Sequence, residues 1–249
     1  RRNVAGVILF GMFVCGVLPH AGPSAAAGAA AGPLLFDKSE YAARRTGLMA
    51  KTPDGVVIVL GATQTTGGEF FQNNDMMYFT GVDIPDAALI MDGRSKTSTL
   101  FFTITERGAR NEGISLDLVR NAAAVTGIER VSPIDQFSPA LGRLAGSGAV
   151  LYTSFKPEEL ARENSAEKFN VLQNTMTLNM WDGRLTRELQ FVKNLRERLP
   201  QATVKDAAPL VWSMREIKSP AEIAHLRKVG RLGVKAHLSM MRATRVGAP

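Results

Sequence analysis

Histidines with neighbouring carboxylates are the residues of this chain best suited to hold a metal ion or move a proton. The sequence contains three histidines, at His20, His225 and His237. The last two are twelve residues apart, about 120° around an α-helix, so they cannot chelate one ion from a single face. Glu222 precedes His225 at the i, i+3 spacing, and without two further ligands this favours a surface pair over a metal site. We expect His237 to be a hydrogen-bonded histidine on a packed helix face.

Three aspartates and a glycine-rich loop offer weaker chemical signals. Asp83, Asp86 and Asp92 flank turns, where carboxylates commonly bond their own backbone, and their spacing does not fit a calcium loop. The stretch Gly61–Gly68 lacks the Gly-Lys-Ser/Thr ending of a phosphate-binding loop and is expected to be a flexible loop. No serine stands in a recognisable pattern with an activating base. From these residues alone, the sequence predicts no catalytic, cofactor-binding or metal-ligating residue.

The positive charge of the chain is concentrated near its C-terminus. The formal net charge is +7, and residues 215–249 contain eight basic and two acidic side chains. The region carries no interleaved aromatic residues, so a nucleic-acid partner is not expected. A solvated helix face, or one that meets acidic groups of a partner domain, explains the charge better.

The N-terminus has the three parts of a secretory signal. Paired arginines precede an apolar run of 15 residues, Val4–Leu18, and small residues such as Ala25–Ala27 supply a cleavage site. We therefore expect 1–33 to be a signal peptide and linker, and the protein to be secreted or periplasmic, with no membrane association after cleavage. The run is short for a membrane span, although an uncleaved anchor stays open, as does the choice between general and twin-arginine export. Cys15 would leave with the signal, which excludes disulfides from the mature chain.

Strands and helices are mixed along residues 34–212, which predicts an α/β domain with a mixed sheet. The β-branched run Val56–Leu60 is typical of a strand that is buried on both faces. The other predicted strands are Met76–Val82, Ala87–Met91, Thr99–Ile104, Glu129–Val131 and Val150–Tyr152. The predicted helices are Ser39–Met49, Leu116–Thr126, Ile134–Leu144 and a long one from Leu178 to about Arg198.

The clearest local signal is a helix start at Ser219. Ser219 suits the N-cap, Pro220 the first helical position and Glu222 the N3 position of a capping box. The helix should run to about Arg242, with a thin apolar stripe that is interrupted by two glycines. These glycines suggest close approach of another segment's backbone. The residues 246–249 resemble a helix stop and a turn, so we expect the chain to end at a connection.

Two blocks give the chain a resemblance to a known family. Phe70–Ile90 resembles the "F-R-Q-x-S-D-F-x-Y-L-T-G-x-x-x-P-x-A" block of the N-terminal domain of Xaa-Pro aminopeptidases, the aminopeptidase P family. Ser213–Ile223 is similar to the "M-R-x-x-K-S-x-x-E-I" junction that leads from that domain into the catalytic domain. The resemblance implies a mixed-sheet creatinase-like N-terminal domain over 34–212, followed over 213–249 by the truncated start of a pita-bread metallopeptidase domain.

The resemblance also implies an activity and its cofactors. In this family two divalent ions, commonly manganese, are held by two Asp, one His and two Glu, and they activate a water for hydrolysis of the bond before proline. All five ligands would lie downstream of this chain, so none is assigned here. The implied partners are peptides with proline at the second position and further copies of the protein. Two departures stand out: Phe71 replaces the usual arginine, and Asn111–Ser115 lacks the family's tryptophan and arginine.

Two functions therefore remain open at the level of the sequence. One is the non-catalytic N-terminal portion of an exported Xaa-Pro aminopeptidase, or of a prolidase or creatinase relative. The other is a free-standing binding or assembly module that kept the fold without peptidase activity. The reading frame beyond Pro249 would discriminate them, because only the enzyme needs downstream metal ligands.

Overall fold

The computed structural model describes residues 34–63, 70–157, 166–181 and 183–245. The predicted signal peptide and linker, most of the glycine-rich loop and the final turn lie outside these ranges. Within them, no helix combines the length and the apolar character that a membrane crossing requires.

Six strands of the described chain form one sheet between helices. The strands are β1 (Gly55–Leu60), β2 (Ala88–Asp92), β3 (Thr97–Phe101), β4 (Arg130–Ser132), β5 (Val150–Thr153) and β6 (Val204–Asp206). The helices are α1 (Lys38–Lys51), α2 (Asn74–Thr80), α3 (Glu106–Asn111), α4 (Leu116–Arg120), α5 (Ala122–Thr126), α6 (Phe137–Gly146), α7 (Ala166–Leu178), α8 (Arg187–Arg198), α9 (Ala208–Glu216) and α10 (Pro220–Ala243). A short 3₁₀ turn, Ile134–Gln136, precedes α6.

The sheet is mixed, as predicted. Its strand order is β4-β3-β2-β1-β5-β6. The central strand β1 is antiparallel to β2 and parallel to β5, while β3 is antiparallel to β2 and parallel to β4. The strand β6 is parallel to β5 at the other edge. The sheet therefore combines a β-hairpin with parallel crossovers, which requires helices on its faces.

Alternate residues of each strand supply two separate cores. Val57 and Val59 of β1 face a core that is completed by α1, α2, α4, α5 and α9. Val56 and Ile58 face a second core with α6 and α8. Because side chains of a strand alternate between the faces, β1 is buried on both sides, which confirms the prediction from its β-branched run. We call the first side the junction face and the second side the groove face.

The predicted strand Met76–Val82 is wrong, because this segment is the helix α2. Met76, Phe79 and Thr80 are buried at helical spacing, and their apolar run is too short to distinguish a strand from a helix by pattern alone. Gly81 ends the helix in the left-handed conformation with φ 67°. A Cβ on Gly81 would lie 2.6 Å from the Tyr41 ring, so both the backbone and the packing require glycine here.

Two predicted helices are each divided in the structure. The long helix over Leu178–Arg198 is in fact the end of α7 and, after a break, α8, which begins where the Thr186 side chain caps the Leu189 N–H. Trp181 is 92% exposed, so it does not share a packed stripe with Val192. The predicted helix Leu116–Thr126 is α4 and α5, which meet at the non-helical Asn121.

Candidate functional site

The helix start at Ser219 forms as the sequence predicts. The Ser219 Oγ accepts a hydrogen bond from the Glu222 N–H at 3.2 Å, and the Glu222 carboxylate accepts one from the Ser219 N–H at 2.8 Å. The two residues thus complete a capping box, with Pro220 in the first turn. The box fixes where α10 begins and in which direction the chain enters it.

The junction that precedes α10 is attached to α2 by a charged pair. Arg215 donates from Nη1 to the Asp75 carboxylate at 2.7 Å. One turn further along α2, the Tyr78 hydroxyl donates to the Met214 carbonyl at 3.2 Å. The Asp75 side chain is only 6% exposed, so its charge depends on hydrogen-bonded partners. These bonds bring the two family-like blocks of the sequence together, although they are 140 residues apart.

Arg44 of α1 makes a second attachment, directly to the capping box. Its guanidinium lies 3.5 Å from the Glu222 carboxylate and 3.0 Å from that of Glu40. It also donates to the Tyr78 carbonyl at 3.0 Å. Three aromatic rings surround it at centroid distances of 5.2, 5.4 and 4.3 Å, those of Phe36, Tyr41 and Tyr78. A planar guanidinium suits this combination of aromatic faces and carboxylates better than an ammonium would.

The pKa values of the two phenols beside Arg44, Tyr41 and Tyr78, are raised by their surroundings. Burial raises the pKa of Tyr41 above its ordinary value of 10.0, and a hydrogen bond from the Phe36 N–H acts in the opposite direction. Burial likewise raises the pKa of Tyr78, with the neighbouring positive charge of Arg44 opposing it. Both hydroxyls therefore remain protonated and neutral around the Arg44 guanidinium at neutral pH.

The histidines behave differently from the sequence expectation. The Glu222 carboxylate binds the Ser219 N–H and pairs with Arg44, so the surface pair with His225 that the spacing predicts is not formed. The His225 ring instead meets the Phe36 ring edge-on at 5.9 Å. His237 is exposed on α10 among the described residues, so its position on a packed helix face stays a prediction. Among the described residues, no cluster of three or more His, Cys, Asp or Glu could hold a metal ion.

In the first family-like block, the side chains of Gln72 and Asn73 form hydrogen bonds with backbone groups. The Gln72 side-chain carbonyl accepts from the Ala62 N–H at 2.6 Å, and its amide donates to the Ile84 carbonyl at 2.8 Å. The Asn73 amide donates to the Leu60 carbonyl at 3.1 Å. Buried amides of this kind satisfy loop backbone groups that would otherwise lack partners. Gln72 and Asn73 thus hold the loop after β1 and carry no reaction.

The three aspartates near the turns differ in their surroundings. Asp92 accepts a hydrogen bond from the Arg94 N–H at 3.0 Å, which confirms the predicted turn role for this residue. Asp86 lies in the left-handed region with φ 55°. Desolvation raises the pKa of the Asp83 carboxyl, and a hydrogen bond from the Gln72 backbone acts against it.

A small cavity lies at the carboxyl ends of the parallel strands β1 and β5. It has a volume of about 30 Å³, and its charged lining residues are Asp75, Arg187 and Glu188. In open α/β sheets this edge commonly holds ligands. A cavity of this size accepts a water molecule and no peptide, so the charged residues here stabilise the fold beside the junction.

The sequence analysis gave Arg44 no role; Asp75 and Arg215 entered it as positions of the two family-like blocks, and Arg215 also as a basic residue of the C-terminal region. The signal in their own segments is slight, because an arginine on an amphipathic helix or an aspartate in its first turn is ordinary. Their importance comes from partners far along the chain. Asp75 carries one usable signal. It directly precedes an apolar methionine, and a carboxylate that is buried beside such a residue requires a hydrogen-bond donor.

Comparison with known proteins gives this arrangement a family context. Residues 41–152 match the family model described as the aminopeptidase P N-terminal domain. The chain is 26% identical over 223 residues to the Xaa-Pro aminopeptidase of Escherichia coli K12, covering 85% of this chain and 46% of that protein. It thus spans about half the length of this curated relative.

Solved structures show the same fold. Proline aminopeptidase P II from Yersinia pestis is 27% identical with a TM-score of 0.58, covering 86% of this chain and 47% of that one. A variant of Escherichia coli aminopeptidase P is 24% identical with a TM-score of 0.61, covering 86% and 46%. The fold is that of a mixed-sheet α/β domain of the aminopeptidase P N-terminal type. Residues 41–152 therefore match the aminopeptidase P N-terminal domain, and the described fold agrees with that match.

Proposed function

We propose that this chain is the N-terminal, non-catalytic portion of a Xaa-Pro aminopeptidase-like metallopeptidase, which removes an N-terminal residue that precedes proline. The observation that carries the proposal is the attachment of the junction to the domain. Arg215 binds the buried Asp75, and Glu222 of the capping box pairs with Arg44. The similarity to Xaa-Pro aminopeptidase supports the choice of substrate class.

The role we assign to the domain is to hold α10 in a fixed position and direction. The described residues leave an apolar set on α10 uncovered, between 39% and 72% exposed, and it comprises Ile223, Leu226, Val229, Leu232, Val234, Leu238, Met240 and Met241. A Cβ built on Gly230 or Gly233 meets no described atom within 4 Å. An exposed apolar surface of this extent favours a further packing partner. We propose that a downstream metallopeptidase domain of the pita-bread type covers it, with α10 as its first helix.

The remaining features of the proposal concern the whole protein. The described residues contain no group of three or more His, Cys, Asp or Glu that could hold a metal ion. We therefore propose that the downstream domain binds the two divalent ions, and we propose manganese as the metal. We further propose export with removal of the N-terminal signal, and assembly into a homo-oligomer. The predicted domain boundary between Trp212 and Ser213 falls inside α9. We propose a boundary between α9 and α10, which the attachment of Met214 and Arg215 to α2 supports.

The test compares this chain with the same chain extended by its downstream reading frame. Both are assayed with Mn²⁺ on a tripeptide that has proline at its second position, with an otherwise identical tripeptide carrying alanine there as the control. We expect release of the first residue by the extended protein only, for the proline peptide only, and loss of the activity with a chelator. Cleavage by the 249-residue chain would refute the assignment as non-catalytic.

Two further outcomes separate the related functions. Cleavage of an Xaa-Pro dipeptide in preference to the tripeptide would indicate a prolidase-type relative. A stop codon directly after the present chain, or an extension without Asp, His and Glu ligands, would replace the enzyme with a free-standing binding or assembly module.

A further inference from the structure

The groove face of the sheet contains a second, larger cavity that the proposed function does not use. It lies between the β2–β3–β4 side of the sheet and α6, and its volume is about 320 Å³. This is within the lower range of small-molecule pockets. It lies on the opposite face of the sheet from the attached junction, because Ile90 and Phe101 at its floor belong to the groove-face core.

Strand register explains how polar groups come to line this cavity. Arg130 of β4 pairs with Thr99 of β3, which pairs with Ile90 of β2. Thr97 and Asp92 form the next row on the same face, two residues along. Paired residues in adjacent strands point to the same side of a sheet. The groove face is therefore apolar at its centre and changes to hydroxyl and guanidinium groups toward its β4 edge.

The opposite wall comes from one side of α6. Ala140, Arg143 and Leu144 line the cavity, and their i, i+3, i+4 spacing places them on one helix face. A sheet position under a helix is ordinarily apolar. Here Thr97, Thr99 and Arg130 stand at such positions and line an open space in place of a sealed core.

The charge balance of the lining favours an anion. Asp92 accepts hydrogen bonds from Arg94 and from the Ser95 hydroxyl, so its carboxylate is already engaged. Among the described residues, Arg130 and Arg143 form no side-chain ion pair. Glu129 next to Arg130 accepts the Ser98 N–H and does not compensate it. Two guanidiniums without a counter-charge and neighbouring hydroxyls are the groups that recognise oxyanions.

We propose that this groove binds a small organic ligand that bears an oxyanion, a phosphate or a carboxylate, between Arg130 and Arg143. The apolar floor at Phe101 contacts the body of the ligand, and the Thr97 and Thr99 hydroxyls accept or donate hydrogen bonds to it. The inference stands apart from the proposed peptidase function, because it uses other residues on the other face.

The test is a titration of the isotope-labelled chain, followed by backbone amide NMR shifts. One arm uses inorganic phosphate and the other N-acetylglycine, a carboxylate with a peptide amide. We expect saturable shifts confined to β3, β4 and α6, and stronger binding of one probe identifies the oxyanion type. Arg130→Gln and Arg143→Gln should each weaken binding about tenfold, the usual effect of losing one charge-assisted hydrogen bond.

Arg198→Gln is the matched control, because Arg198 is an exposed arginine of α8 that does not line the cavity. It should leave both titrations unchanged. All three variants replace exposed arginines, so they are expected to fold, which circular dichroism verifies. Shifts that do not saturate, that spread over the whole surface, or that the two groove variants leave unaltered would overturn the proposal.

Discussion

Replacement of Arg215 by glutamine tests the attachment of the junction to the domain. The Asp75 carboxylate is 6% exposed and lies 2.7 Å from the Arg215 guanidinium, which is itself 32% exposed. Without Arg215 the carboxylate loses a charged donor in a site with little water. A buried charge that loses its partner is destabilising, because its desolvation is no longer offset.

The magnitude follows from the exposure of the two partners. Removing one member of a fully buried pair lowers the free energy of unfolding by about 3–5 kcal/mol. Arg215 is partly solvated, and Asp75 has additional interactions within the domain, so we expect about 2–3 kcal/mol for Arg215→Gln. For a domain of this size that is a decrease in Tm of about 4–12 °C. Asp75→Asn removes the charge together with its need for a partner and should lower the stability by only about 1 kcal/mol.

Urea unfolding followed by circular dichroism measures both effects, and the double variant completes a thermodynamic cycle. The double variant should be less destabilised than the sum of the single variants by about 1 kcal/mol or more, because the residues are in contact. The control is Arg110→Gln, which breaks an exposed ion pair with Glu106 at 3.3 Å and should change stability by less than about 0.5 kcal/mol. An Arg215→Gln variant as stable as this control, or strictly additive effects, would refute the reasoning.

Three further predictions concern the surroundings of the junction. Ser219→Ala should reduce the stability of the α10 start by about 1 kcal/mol, seen as faster hydrogen exchange in its first turn, whereas unchanged exchange would contradict the capping box. Gly81→Ala should lower the free energy of unfolding by more than about 1 kcal/mol, because φ is 67° and the added Cβ would meet Tyr41; the Gly142→Ala control, in open space, should not. Because burial raises the pKa of Tyr41 above 10.0, the unfolded state loses its proton first and stability should fall as the pH rises from about 10 through the folded pKa. Tyr41→Phe should make this alkaline decrease smaller in urea titrations at stepped pH, and an equal decrease in both proteins would count against it.

Much of the fold was predictable where the information is local. The capping box depends on residues three apart, and the sequence placed it at Ser219 and Glu222, where it forms. The strand β1 was recognisable because burial on both faces demands a continuous apolar run. The mixed sheet followed from the order of elements and from the family-like blocks.

The errors arose where several local structures suit the same residues. The segment around Met76 is apolar enough for a strand or for a short helix, and packing of Phe79 against the sheet decides for the helix. Leu178 and Trp181 continue the helical spacing of α8, yet they are 81% and 92% exposed. Spacing alone does not tell which side of a helix finds a partner.

By itself, the sequence determined the class of the domain and the start of α10. The tertiary structure alone decided that Arg44 and Asp75 hold the junction, because their partners Glu222 and Arg215 are more than a hundred residues away along the chain. It also decided that the groove between β4 and α6 stays open and positively charged. Local patterns fix turns and caps through bonds between near neighbours, whereas charge pairing and cavities depend on which distant surfaces the folded sheet brings together.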